Sequence, residues 1–223
     1  MLNSVINELL DYSKIEANQL ALEFTAFALE EVVNRVASVL SPNCSERRIS
    51  FIVDLSPDIP RFILGDPLRV EQILLTLLSH AIKHIHRGHV LLRITPGAKI
   101  ESHLKLYFEI VDTGTGMDVT QISELFQPFQ QHDNTVASGG SGLGLAISQQ
   151  LVRLMGGDIH VSSEVGVGTE FVFSLQVGFR PDSVSGNIGF VCNKRWLLLH
   201  NQPEVAAILN TQLQRIGGTV HDL

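Results

Sequence analysis

Only two cysteines occur in the 223 residues, Cys44 and Cys192, far apart and each without a second thiol nearby. They can build neither a disulfide framework nor a cysteine-based zinc site, so the chain reads as cytoplasmic. Basic residues are scarce too: 16 Lys and Arg against 23 Asp and Glu leave a net charge of -7. Such a surface offers no field for a nucleic-acid backbone or an anionic membrane, and nucleic acid is set aside as a partner. No run of about 18 apolar residues is present, and no basic start leads into an apolar signal core, so this segment is expected neither to insert into a membrane nor to direct export. Internal repeats and low-complexity tracts are also missing. What remains is a composition of 44% hydrophobic and 17% charged residues, enough for a buried core, in a length that fits one domain plus part of another.

Leu2, Val5, Ile6, Leu9 and Leu10 recur at helical spacing, but Met1 opens in mid-pattern with no capping residue ahead of it. This predicts the tail of a longer helix. A second stripe from Leu29 to Leu40 predicts a helix ending near Pro42, followed by a strand over Ser50 to Leu55 and a loop over Pro57 to Pro60. Asp66-Pro67 is a strong helix start, a side-chain cap followed by a ring that presets the first turn. Ile73, Leu74, Leu77, Leu78, Ala81, Ile82 and Ile85 should form the buried face of that helix, with Gly88 as its stop. Strands are expected over His89 to Thr95 and Leu104 to Val111 as an antiparallel pair, then a short helix from Val119 to Phe126, a glycine-rich loop, and a helix from Leu143 to Met155. A hairpin of Asp158 to Ser162 and Thr169 to Val177 closes the domain. Arg180 to Asn187 reads as a linker, and beyond it come a strand over Trp196 to His200, a helix over Pro203 to Ile216 and the start of another strand.

Val111-Asp112-Thr113-Gly114-Thr115-Gly116-Met117 stands at the end of a strand. One reading is an adenine pocket, with the Asp112 carboxylate accepting from the exocyclic amine while two residues without side chains let the backbone approach the ring. Guanine would present an oxygen there and be repelled. The rival is an aspartic protease, whose loop is also Asp-Thr-Gly but which needs two such loops sharing a proton in an all-β fold. Gly139-Gly140-Ser141-Gly142-Leu143-Gly144-Leu145-Ala146-Ile147 runs into a helix, and exposed amides at a helix start suit phosphates.

Together these segments resemble the two glycine boxes of the ATP-binding catalytic domain of sensor histidine kinases, the hybrid kind in particular. Leu125-Phe126-Gln127-Pro128-Phe129 resembles that family's phenylalanine box, Gly166-Val167-Gly168-Thr169-Glu170-Phe171 its last glycine motif, and Asn7 to Ala17 the end of its second dimerisation helix. The resemblance implies an α+β, Bergerat-type ATPase α/β sandwich, a mixed sheet packed on helices. It divides the chain into a dimerisation-helix fragment at 1–18, the ATP-binding domain at 19–178, a linker at 179–188, and the start of a degenerate receiver, a partial flavodoxin-like β-α unit, at 189–223. By motif position it assigns Asp112, Gly114, Gly116, Gly140, Gly142, Leu143, Gly144 and Thr169 to the nucleotide site, with Lys83 as a phosphate contact. ATP or ADP and magnesium are the implied ligands. Implied partners are a second copy or a related kinase joined through dimerisation helices, and a response regulator. The γ-phosphate goes to a histidine on a first dimerisation helix, which nothing here matches; the parent protein is expected to be anchored in the inner membrane.

Departures from the pattern fall at the phosphate end. Thr76 and His80 stand where the family's asparagine box carries two asparagines, and imidazole offers nitrogen where magnesium wants oxygen, so weakened magnesium binding is expected. The stretch from Gln130 to Ser138 contains no Lys or Arg to clamp phosphates. These losses make a non-catalytic, kinase-like regulator the alternative to a working kinase. His80, His84, His86 and His89 fall within ten positions, and the first two are one helical turn apart, a spacing that can chelate zinc or nickel. The competing reading is that His80 and His84 are substitutions in the asparagine box. In the last segment His200 and Asn201 replace the acidic pair of a receiver's first strand.

Overall fold

A computed structural model of the chain describes residues 2–17, 19–130, 141–179, 195–198, 211 and 219–222. Helix α1 (Leu2–Glu16) leads to strand β1 (Thr25–Phe27), helix α2 (Leu29–Arg47) and strand β2 (Ile49–Leu55). Strand β3 (Ile63–Gly65) precedes helix α3 (Pro67–His84), which is followed by the antiparallel strands β4 (Gly88–Ile100) and β5 (His103–Asp112). The short helix α4 (Val119–Glu124), helix α5 (Gly144–Leu154) and the hairpin of β6 (Ile159–Glu164) and β7 (Gly168–Gly178) complete the main unit.

The strands form one mixed sheet in the order β1-β3-β7-β5-β4-β2, with β6 on the β3 side of β7. Only β2 runs parallel to its partner, β4. One face of the sheet, carrying Val90, Leu92 and Ile94 on β4, Leu106, Phe108 and Ile110 on β5, and Phe171, Phe173 and Leu175 on β7, is fully buried with the stripes of α2, α3 and α5 in a single core. Phe108 and Phe173 stack there with ring centroids 4.6 Å apart. This is the α+β sheet-and-helix layering that the sequence implies.

Helix α3 is the element that matters most for the site. The Asp66 carboxylate accepts from the Arg69 amide at 3.1 Å and from the Glu23 amide at 3.1 Å, so one buried acid caps the helix and fixes the chain leading into β1. At the far end Gly88 is not the stop. The helix ends at His84, the Arg47 guanidinium donates to the carbonyls of Ile82 and Lys83, and Gly88 opens β4 opposite Ile49. Likewise Pro42 does not end α2, which runs on to Arg47. Leu40 and Cys44, both buried, lie one turn apart around the proline, and their burial offsets the missing amide bond. Two short strands, β1 and β3, were not anticipated, and β4 continues through Pro96 and Gly97 with a register shift before Lys99 where a polar loop was expected.

The C-terminal strands β8 (Arg195–Leu198) and β9 (Thr219–Asp222) pair in parallel, Arg195 opposite Thr219. Parallel neighbours need a crossover, and Thr211 between them is helical. The expected linker, and the rest of the expected helix, lie outside the described residues. No helix among the described residues is long and apolar enough to cross a membrane.

Candidate functional site

Strand β5 delivers Asp112 to the end of the sheet, between Val90 of β4 and Thr169 of β7. The residue is only 4% exposed. Its carboxylate is not left unmet: the Gly114 amide donates to Oδ1 at 2.7 Å, and the Thr169 backbone also bonds to it. Burial pushes the carboxyl up from 3.8 to about 6, against the lowering effect of those two backbone bonds. A buried acid held in this way can accept a hydrogen bond from an incoming amine.

The loop after Asp112 is stitched to its surroundings on both sides. Thr115 donates its amide to the His84 carbonyl at 3.1 Å, and His89 and Thr113 exchange bonds at 3.0 and 3.2 Å, which seats the loop on the C-terminal end of α3. On the other side Gly166 donates to the Thr115 carbonyl at 2.7 Å and the Met117 amide donates to Ser163 Oγ at 2.8 Å. Ser163 also bonds the Gly168 carbonyl and the Thr169 hydroxyl, both at 2.9 Å, so Thr169 is positioned from β6. Glycine is required at two points. A Cβ on Gly114 would lie 2.7 Å from Asp112 Oδ1 and 2.7 Å from the His84 carbonyl oxygen. At Gly116 φ is +66° and a Cβ would fall 1.9 Å from the Glu164 carbonyl oxygen.

The phosphate-class segment enters from α5. Gly142 accepts from the Phe129 amide at 3.0 Å, Leu143 buries its side chain completely, and Gly144 begins the helix against Thr76 of α3. Helix α5 has no side-chain cap of its own. Instead Ser141 Oγ accepts from the Leu143 amide at 3.0 Å while donating to the Glu8 carboxylate on α1. The remainder of α1 is held by Asp11, which takes both guanidinium nitrogens of Arg69 at 2.7 and 3.3 Å and the Gln72 amide at 3.1 Å, and by Tyr12 edge-on to Phe129. Gly140 and the basic-poor stretch before it lie outside the described residues.

Thr76, His80 and Lys83 with His84 share one flank of α3, half-buried except for the exposed Lys83. The His80 ring meets Phe171 edge-on at 5.8 Å and lies 4.7 Å from the His84 ring. At the Asp112 end a buried carboxyl can accept from an amine, and the glycines beside it are needed because the His84 and Glu164 carbonyls pack where their Cβ atoms would be. Magnesium does not fit the flank of α3. His80 offers imidazole nitrogen where a hard ion needs oxygen, and the neutral Thr76 hydroxyl alone does not make up for it. Among the described residues no group of three His, Cys, Asp or Glu is arranged to hold a metal.

The sequence reading missed Ser163, Glu8 and Arg47. Each makes a contact across a long separation in the chain, Ser163 with Met117, Glu8 with Ser141 and Arg47 with Ile82 and Lys83, and no spacing in the sequence marks that contact.

A family model described as histidine kinase-, DNA gyrase B-, and HSP90-like ATPase matches residues 65–178, just over half of the chain. Sensor histidine kinase GacS of Pseudomonas protegens is 36% identical over 96% of this chain and 24% of its own length. Hybrid signal transduction histidine kinase F of Dictyostelium discoideum is 34% identical over 97% of this chain and 20% of its own. The chain thus spans less than a quarter of these curated relatives. Among solved structures, full-length ShkA in complex with AMPPNP superposes with a TM-score of 0.81 at 28% identity, covering 100% of this chain and 45% of that one. The match and the mixed fold leave no support for the protease reading of Asp-Thr-Gly.

Proposed function

The chain belongs to the family of histidine kinase-, DNA gyrase B- and HSP90-like ATPases, and from that premise we propose that residues 19–178 bind ATP and present its γ-phosphate to a histidine on a dimerisation helix supplied elsewhere. It is the ATP-binding catalytic domain of the sensor histidine kinase type. The observation that carries the assignment of the pocket is Asp112, a buried carboxyl backed by two amides at the mouth of a glycine loop. Asp112 accepts from the adenine amine, and Gly114 and Gly116 let the loop pack against the His84 and Glu164 carbonyls, which fixes the wall of the adenine end. Thr169, held by Ser163, lines the same end. Gly142, Leu143 and Gly144 direct first-turn amides of α5 toward the phosphates, with Gly140 ahead of them and Lys83 of α3 as a further phosphate contact.

Residues 1–18 serve as the end of a dimerisation helix, 179–188 as a linker and 189–223 as the start of a degenerate receiver. The parent protein works in the cytoplasm from an inner-membrane anchor, paired with itself or a related kinase, and addresses a response regulator. A second reading, a kinase-like regulator without phosphoryl transfer, draws support from His80, which stands where an oxygen ligand for magnesium is needed. Isothermal titration with ATP, with and without magnesium, joined to transfer of labelled phosphate to a complete dimerisation domain, tests both. ATP binding is expected in either case. Transfer supports the kinase, binding without transfer supports the regulator, and no binding under any condition refutes the pocket.

A further inference from the structure

We propose that His80 and His84 form a chelating pair for a transition ion of the zinc class, so that this site selects its metal against magnesium. The pair sits one turn apart on α3 with ring centroids 4.7 Å apart. An ion bound at about 2.1 Å from a ring nitrogen lies about 3.2 Å from that ring's centroid, so two centroids at this separation subtend about 95° at the ion. That angle lies between the right angle of an octahedral pair and the wider angle of a tetrahedral one. The rings are tilted 53° to each other, and a shared ion requires one nitrogen of each to turn toward it.

The support behind the rings is stiff. Phe171, itself fully buried, meets His80 edge-on at 5.8 Å and limits its tilt. The backbone of His84 is tied by Thr115, and the preceding carbonyls are capped by Arg47. Each imidazole has two nitrogens, so a ring can keep a hydrogen bond through one and coordinate through the other. Zinc, cobalt and nickel favour such nitrogen donors, whereas magnesium demands oxygen and gives up its water reluctantly. With no third protein ligand among the described residues, the other positions on the ion stay open to water or to phosphate oxygens. That last clause, and the magnesium-nucleotide outcomes of the test below, rest on the ATP reading.

The test uses the full chain without a histidine tag. Zinc chloride is titrated calorimetrically, cobalt chloride is followed by visible absorption, and binding of a fluorescent ATP analogue in EDTA is measured separately. The expected result is one zinc per chain at this site and a cobalt spectrum with nitrogen ligation. Loss of even an outer-shell partner costs about 10- to 100-fold in metal affinity, so His80→Ala and His84→Ala should each cost at least as much. His80→Asn, which puts an amide oxygen in place of the imidazole nitrogen, should lose zinc while gaining magnesium-dependent nucleotide binding. Zinc affinity unchanged in all three variants, as would follow if His86, His89 or other surface groups held it, overturns the pair. So does wild-type protein that binds magnesium nucleotide tightly while ignoring zinc. Loss of analogue binding in EDTA alongside an intact, substitution-sensitive zinc signal would instead refute the nucleotide pocket and uphold the chelate.

Discussion

Replacing Asp112 by asparagine separates charge from shape at the adenine end. The carboxyl is raised from 3.8 to about 6 by burial. Between those values the folded protein holds a proton that the unfolded chain has released, so stability is highest at acid pH and falls as pH rises to about 6. At pH 7 the buried charge costs at most about 3 kcal/mol, which asparagine removes, less about 1 kcal/mol for one backbone bond it cannot accept. Asp112→Asn should therefore be at least as stable as the parent protein in urea denaturation at pH 7. Its nucleotide affinity should nevertheless drop, because a hydrogen bond to a charged group contributes about 1.5–3 kcal/mol, or about 10- to 150-fold. The ionised fraction of Asp112 falls about tenfold from pH 7 to pH 5, so the parent's advantage should shrink by about the same factor. Titrating both proteins with ATP at several pH values and taking the ratio of affinities cancels the nucleotide's own ionisation. A ratio that stays flat from pH 5 to 8, or a variant that binds as well as the parent, would refute the assignment of adenine to Asp112.

Gly116→Ala should destabilise by more than 2 kcal/mol, roughly, because left-handed backbone strain adds to a Cβ placed 1.9 Å from the Glu164 carbonyl oxygen. Gly166→Ala, at φ +82° with nothing within 4 Å, should cost only about 1 kcal/mol, and thermal melts of the two compare them directly. Ser163→Ala removes the partner of the Met117 amide, the Gly168 carbonyl and the Thr169 hydroxyl; about 1–2 kcal/mol of stability and a weaker nucleotide affinity should go with it, read by urea denaturation and ATP titration. Arg69→Ala leaves Asp11 without its two-nitrogen partner, so amide hydrogen exchange over residues 6–17 should quicken while α3 and the sheet keep their protection.

Legibility of the fold followed the length of the pattern. Seven apolar positions on α3 and a capping Asp-Pro pair are local and redundant, and the helix appears where they place it. Strands β1 and β3 have three residues each, too few for a period to show, and exist because β3 pairs with both β1 and Gly178 at the end of β7. Pro42 and Gly88 misled because contacts made elsewhere decide both helix ends: burial of Cys44 carries α2 past the proline, and α3 ends at His84, before the glycine, where Arg47 caps its last carbonyls. At the site, Asp112 and the glycines after it stood out because an acid beside residues that must lack side chains is a chemical demand written in consecutive positions. Ser163 and Glu8 carry no such mark. Ser163 reaches Met117, 46 positions away, and Glu8 reaches Ser141, 133 positions away, and only the folded chain brings these pairs together.

The two ends of the nucleotide site rest on different supports, and this bears on how a signal can reach it. The Asp112 end is built from β5, β6, β7 and the last turn of α3, all joined by backbone ladders or by bonds buried beneath the loop. Moving it means disrupting the core. The α5 end is held by the Phe129 amide on the Gly142 carbonyl and by the buried Leu143 side chain, and it is tied to α1 through Ser141, which holds the Leu143 amide with one lone pair and gives its proton to Glu8. Helix α1, in turn, keeps Ile15 in the core but leaves Ile6, Leu9 and Leu10 about half exposed, and is fastened to α3 chiefly through Asp11. A shift of α1 along its axis would therefore strain the Glu8 and Asp11 contacts first and reach the glycine loop before anything near Asp112 responds. On the proposed reading of the site, α1 therefore acts on phosphate positioning before it acts on adenine recognition.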